Sequence, residues 1–164
     1  MIIRTMQIED WPSVARIYKE GLATGFASFE TDVPDFYTWS AKKLNFCRLV
    51  ITNNEEILGW AALSPTSTRM VYKGVAEVSI YLSKQAQGKG LAQLLFKALI
   101  TASEENGIWS LQSSIFPENK SSIRLHEKMG FRYLGKRERI AKTIEGVWKD
   151  NLLYERRSDT VGTA

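Results

Sequence analysis

A single cysteine, Cys47, excludes an internal disulfide and any metal site built from several thiolates. His126 is the only histidine, and no metal ion is expected. No run approaches the ~18 uninterrupted apolar residues that span a bilayer, so no membrane association is expected. The opening stretch MIIRTMQIEDW turns acidic by Glu9, unlike a secretory leader. These absences fit a cytoplasmic protein. Internal repeats, low-complexity runs and Pro/Gly-rich linkers are also lacking. Residues 1–157 are therefore expected to form one domain, followed by a polar, flexible tail at 158–164.

What is present suits a packed core. Hydrophobic residues make up 44% and charged residues 24%, and five Trp, six Tyr and seven Phe are too many for a disordered chain. The formal net charge of +4 admits a polyanionic partner, whether nucleic acid, a membrane surface or a phosphorylated cofactor. The basic residues are scattered, however, and the densest cluster, Lys136 to Arg139, is interrupted by Glu138. Nucleic acid is not the expected partner.

Periodicity divides the chain into short elements. Ile2 to Thr5 reads as a strand. Asp10 and Pro12 open a helix over 11–23, on which Val14, Ile17, Tyr18 and Leu22 share a face. Pro34-Asp35 starts a second helix reaching Asn45. Arg48–Thr52 and Ile57–Ser64 form a hairpin around Asn53-Asn54-Glu55-Glu56. Val75–Leu82 is a β-branched strand, followed by Gly88-Lys89-Gly90 and a helix to about Asn106. Ser110–Phe116 is a strand, Ser121–Met129 a short helix, and 131–140 with 147–155 a final antiparallel pair. Only the stretch 75–116 demands a parallel crossover, which predicts a mixed α/β sheet with helices on both faces.

The segment Glu77-Val-Ser-Ile-Tyr-Leu82 through Gln85-Ala-Gln-Gly88-Lys-Gly90-Leu-Ala-Gln93 carries the chemistry. It joins a strand to a helix N-terminus through glycines. Free N–H groups, partial positive charge and close backbone approach make it a candidate pyrophosphate cradle. A plain turn would use the same glycines. A dinucleotide fingerprint fails because Gln93 stands where a third glycine is required, and no acidic residue ends the next strand. A P-loop fails because no G-K-[ST] occurs.

Gln85-x-x-Gly88-x-Gly90 resembles the [RQ]-x-x-G-x-[GA] motif of the GNAT superfamily of acetyl-CoA-dependent acyltransferases. Asn119-Lys-Ser-Ser122-Ile-Arg-Leu-His126-Glu-Lys-Met-Gly130-Phe131 resembles that superfamily's N-x-x-[AS]-x-x-[LF]-[YH]-x-x-x-G-F segment. Gly25–Glu30, Gly59–Pro65, Arg69–Tyr72, Ala76–Tyr81 and Gly146–Asp150 are similar to the phosphinothricin acetyltransferase branch. That resemblance implies a central, mostly antiparallel twisted sheet with a splayed parallel strand pair. It implies acetyl-CoA as cosubstrate and, as acceptor, the α-amine of phosphinothricin, methionine sulfone or methionine sulfoximine. It also implies a homodimer. The same fold could instead acetylate a protein N-terminus or a polyamine, or bind acetyl-CoA without turnover.

The resemblance assigns roles by position. The backbone of Ile80, Tyr81 and Leu82 would pair with the pantetheine arm and polarise the thioester carbonyl. Gln85 opens the loop, and Gly88, Lys89, Gly90, Leu91, Ala92 and Gln93 would hold the pyrophosphate. Asn119 would bond the pantetheine arm, with a helix-capping residue before Ser121 as the alternative reading. Lys128 could meet a phosphate. Glu77 occupies the place of the proton acceptor, and alternation puts it on one face with Ser79 and Tyr81. Its alternative is an ion pair with a basic neighbour. Glu30, after Phe29, would receive the ammonium, share the base role, or remain a solvated loop acid. His126 stands where many relatives carry the Tyr that protonates the departing thiolate, while a lone helix histidine is otherwise structural. Arg69 offers a fork for a carboxylate beside Tyr72, and Trp148 would wall the acceptor site or pack in the core. Cys47 reads as packing filler. No side chain looks like an activated nucleophile, so direct transfer in a ternary complex is expected.

Overall fold

The computed structural model describes residues 1–164. In chain order the strands are β1 (Ile2–Thr5), β2 (Leu49–Asn53), β3 (Glu56–Pro65), β4 (Val75–Leu82), β5 (Ser110–Ile115), β6 (Arg132–Lys142) and β7 (Trp148–Arg157). The helices are α1 (Trp11–Leu22), α2 (Phe36–Ala41), α3 (Leu91–Glu105) and α4 (Lys120–Lys128). All seven strands form one sheet in the order β1-β2-β3-β4-β5-β7-β6. Every neighbouring pair is antiparallel except β4 with β5. The single crossover through α3 thus gives the mixed sheet expected.

Helices cover both faces because the strands bury both. On one side Leu91, Leu95, Phe96 and Leu99 of α3 pack on Ala61, Leu63, Ala76 and Leu111, with Val78, Ile80 and Leu82 at the margin. On the other, Val14 and Ile17 of α1 and Trp39 of α2 pack on Val50, Trp60 and Ala62, and Tyr81 joins them. Alternation along β4 therefore sends Val78, Ile80 and Leu82 to α3 and Tyr81 to α1, as the period of two requires. Burying such side chains contributes roughly 1.5–3 kcal/mol each.

Two local expectations change, and the segment after β7 makes contacts of its own. Asp10 does not cap α1 with its side chain; its carboxylate turns back to Arg4 at 2.7 Å and to the Gln7 amide at 2.7 Å. The second helix stops at Ala41 rather than Asn45. Leu44 N–H is taken by the Leu63 carbonyl of β3 at 2.8 Å, and the Arg48 guanidinium gathers the carbonyls of Leu44 at 2.7 Å and Ser40 at 3.0 Å. Tertiary hydrogen bonds outcompete another helical turn. After β7, where a flexible tail is expected, the Ser158 hydroxyl donates to Glu104 at 2.9 Å and Arg157 donates to the Val161 carbonyl at 2.8 Å. No helix is long and apolar enough to cross a membrane.

Candidate active site

The parallel ladder between β4 and β5 is short. It pairs Val75 with Ser110, Ala76 with Leu111 and Glu77 with Gln112, and then stops. β4 continues to Leu82, paired only with β3, while β5 turns to β7. The strands splay beyond Glu77, and the β5-facing edge of residues 78–82 has no ladder. A cavity of about 1390 Å³ opens there, lined by Glu77–Leu82, Ser113–Phe116, Gly88, Gly90, Leu91, Asn119 and residues of the α1–α2 loop. An unpaired strand edge inside a cleft is a row of free donors and acceptors for an extended ligand.

One end of the cleft suits an anion. Gly88 and Gly90 have φ of 74° and 76°, a left-handed conformation that favours glycine. A Cβ added at either would meet nothing within 4 Å, so both backbones face open space. The first-turn amides of Leu91, Ala92 and Gln93 have no acceptor within the protein, and they stand at the positive end of a 15-residue helix. These features fit a phosphate-bearing arm, and the unpaired edge of Ile80, Tyr81 and Leu82 fits its extended part. Asn119 caps α4 through Oδ1, which accepts from Ser122 N–H at 3.3 Å, and its Nδ2 keeps its donors for the cleft. Lys128 lines the same wall.

The other end lies over the α1 face. Glu77 is exposed to the cleft. Phe29 packs edge-on to Phe116 at 4.7 Å and holds the α1–α2 loop across the opening, with Glu30 beside it on the lining. Tyr81 is stacked on Trp60 at 5.0 Å, with Gly21 tight against its ring. Burial raises the Tyr81 phenol far above its ordinary range, so it stays protonated. Lys43, which the sequence did not single out, also lines this end. Its ammonium donates to Ser79 at 2.9 Å and to Ser64 at 3.1 Å. Burial pulls its pKa down, and the nearby Glu77 charge opposes that.

His126 is buried in the wall between β5 and α4. Its Nδ1 lies 2.7 Å from the Ser122 carbonyl, which can only accept, so Nδ1 carries the proton. Nε2, 2.8 Å from the Ser113 hydroxyl, is then the acceptor. Phe96 and Phe131 pack edge-on at 5.1 and 4.9 Å. Burial pushes its pKa below the ordinary value, against the Ser122 carbonyl bond. The neutral ring thus has no spare N–H for a leaving group.

Five expected residues, Arg69, Tyr72, Gln85, Lys89 and Trp148, are not on the cleft lining. The Arg69 guanidinium stacks over Tyr72 at 5.6 Å on an exposed 3-10 turn between β3 and β4. Trp148 is 56% exposed at the start of β7, with the Lys142 ammonium 5.7 Å over its ring. The Gln85 amide donates to Glu56, so it braces the loop against β3. Lys89 lies with Gln85 on a separate, small depression, so the pyrophosphate-binding stretch expected at 88–93 reaches the main cleft without it. No group of three or more His, Cys, Asp and Glu is placed to hold a metal ion.

Comparison with known proteins agrees with this geometry. Residues 1–132 match the acetyltransferase (GNAT) domain family. Over 103 residues the chain is 31% identical to the phosphinothricin N-acetyltransferase of Streptomyces coelicolor, a match covering 63% of this chain and 60% of that one. It is 25% identical to the L-methionine sulfoximine/L-methionine sulfone acetyltransferase of Pseudomonas aeruginosa, over 99% of this chain and 97% of the relative. The crystal structure of a phosphinothricin acetyltransferase from Sinorhizobium meliloti in complex with acetyl-CoA superposes with a TM-score of 0.86 at 26% identity, covering 99% of this chain and 91% of that one. By its family match over most of its length, and by a fold it shares with an acetyl-CoA complex, this chain belongs to the GNAT acetyltransferases.

Proposed function

We propose that the protein is an acetyl-CoA-dependent N-acetyltransferase acting on the α-amine of a small amino acid of the phosphinothricin or methionine sulfone kind. The observation that carries this reading is the splayed β4–β5 pair, with a glycine cradle at one end and Glu77 at the other. The free edge at Ile80, Tyr81 and Leu82 takes the pantetheine arm in β-like pairing. Gly88, Gly90 and the first turn of α3 take the pyrophosphate, while Asn119 and Lys128 support the arm. Gln85 and Lys89 shape the loop from behind.

The chain's residues supply position, a proton acceptor and polarised amides. An aliphatic amine titrates near 10 and arrives as ammonium. Glu77, directly or through water, takes the proton that frees its lone pair, with Glu30 holding the cation at the mouth. Backbone N–H groups of the β4 edge stabilise the oxyanion as the amine adds to the thioester carbonyl. Phe29 narrows the acceptor side. His126 holds β5 on α4 through Ser113; as the C–S bond breaks, the nitrogen gives up its second proton to water and the departing thiolate takes a proton from solvent. Transfer is direct, in a ternary complex.

Arg69, Tyr72 and Trp148 act in an assembly of two copies. Met70 at 74%, Val71 at 64% and Ile144 at 80% exposure are apolar surface for a second copy to cover. Residues 1–157 act as one acetyltransferase domain, in the cytoplasm.

The test is thiol release from acetyl-CoA with methionine sulfone, methionine sulfoximine, phosphinothricin, a polyamine and a lysine peptide. Saturable release with one of the first three supports the reading. Release only with the polyamine or peptide overturns the acceptor class. Binding of acetyl-CoA without release from any acceptor overturns catalysis.

A further inference from the structure

A cation facing a cleft needs an anion. Lys43 follows α2 at the point where the chain turns onto β3, and its stem runs half-buried to the sheet. Its ammonium reaches Ser79 on β4 and Ser64 on β3. Ser64 is the register partner of Glu77, and Ser79 lies two places along β4 on the same face. The ammonium is therefore seated beside the proton acceptor, on the acceptor side of the cleft.

None of the six ion pairs of the protein includes Lys43. Glu77 is close enough to act on its charge but lies beyond 4 Å. An ammonium has three donors, and neutral hydroxyls occupy two of them. A sheltered charge with no counter-ion is costly, and the cost is recovered when a ligand supplies the opposite charge. Arg69 would be the obvious candidate from sequence, yet it stacks on Tyr72 away from the cleft lining.

We infer that Lys43 is the specificity-determining residue that receives the α-carboxylate of the acceptor, so that the enzyme selects α-amino acids over plain amines. This rests on the proposed acetyltransferase reading. In an α-amino acid the ammonium and carboxylate sit on one carbon. A carboxylate on Lys43 sets the ammonium toward Glu77 and toward the thioester lying along β4. Two opposite charges on neighbouring positions of the wall thus match the two ends of a zwitterion. A diamine or a protein N-terminus lacks the anion and leaves Lys43 uncompensated.

The experiment compares wild type, Lys43→Met and Lys43→Arg with methionine sulfone and with its carboxamide, following thiol release and checking each variant's melting temperature. Lys43→Met is expected to raise the KM for the acid at least tenfold, leave the KM for acetyl-CoA unchanged, and use the carboxamide as well as wild type does. Lys43→Arg should recover part of the affinity for the acid. The inference is overturned if wild type takes the carboxamide as readily as the acid, or if Lys43→Met impairs both equally. If wild type releases no thiol with any of these amines, the acetyltransferase reading fails instead, and calorimetry with methionine sulfone and CoA then decides Lys43. Tighter binding to wild type than to Lys43→Met upholds its role; equal or absent binding overturns it.

Discussion

Replacing Gly90 by Ala separates backbone strain from ligand binding, because the protein contains a matched control. Gly90 precedes α3 with φ of 76°, and Gly107 follows α3 with φ of 79°. At both, an added Cβ meets no atom within 4 Å, so neither substitution creates a clash. The remaining cost is the left-handed conformation, about 1–2 kcal/mol for a residue with a Cβ. For a chain of this size that corresponds to a fall in Tm of roughly 2–8 °C, alike for the two variants. They differ in where the methyl points. At Gly90 it enters the space assigned to the pyrophosphate, whereas Gly107 lies off the cleft. CoA at about 100 times Kd stabilises wild type by ~2.7 kcal/mol. If Gly90→Ala weakens CoA tenfold, the same CoA concentration stabilises it by only ~1.4 kcal/mol. Thermal melts with and without CoA read both effects. Gly107→Ala should lose Tm yet keep the full CoA shift, and Gly90→Ala should lose both. An undiminished CoA shift in Gly90→Ala refutes the cradle.

Two further perturbations test the surroundings of the site. Cys47 is buried, and that burial, with the Glu105 charge adding to it, pushes its thiol up to about 11. At neutral pH roughly one thiol in ten thousand is ionised, so iodoacetamide should leave the folded protein unlabelled by intact mass and label it in denaturant. His126 has a folded pKa depressed by burial, so its unfolded form binds protons more readily. Stability tied to the neutral ring is complete above about pH 6.5 and is lost as pH falls through the lower folded value. The Tm advantage of wild type over His126→Gln should accordingly narrow between about pH 7.5 and pH 5; a constant advantage would show that the ring's charge state is immaterial.

Much of this architecture was legible because its signals are local. β4 follows from a short stretch rich in β-branched residues (Val75, Val78 and Ile80), and α3 from one apolar face between Gly90 and Gly107. The two glycines of the cradle announce their positive φ by their identity. Lys43 was hidden for a physical reason. In Ala41-Lys42-Lys43-Leu44 it reads as a solvated helix end, and only the nonlocal bond from Leu44 to Leu63 turns its stem onto the sheet. The same bonds ended α2 early. Arg69, Tyr72 and Trp148 were marked by motif resemblance, which carries no information on the surface they face. His126 was marked likewise, and its hydrogen bonds to Ser122 and Ser113 lie on a helix turn and a strand that no motif relates. Asp10 shows the reverse case, a capping residue drawn away by a nearby Arg4.

The central claim is that Glu77 accepts the amine's proton at the end of the splayed strands. It is tested most directly by comparing kcat/KM for methionine sulfone in wild type and Glu77→Gln, with CoA binding measured in parallel. The account predicts a fall of roughly 10²–10⁴-fold with CoA affinity unchanged. Activity within about threefold of wild type, less than any general base contributes, would contradict it.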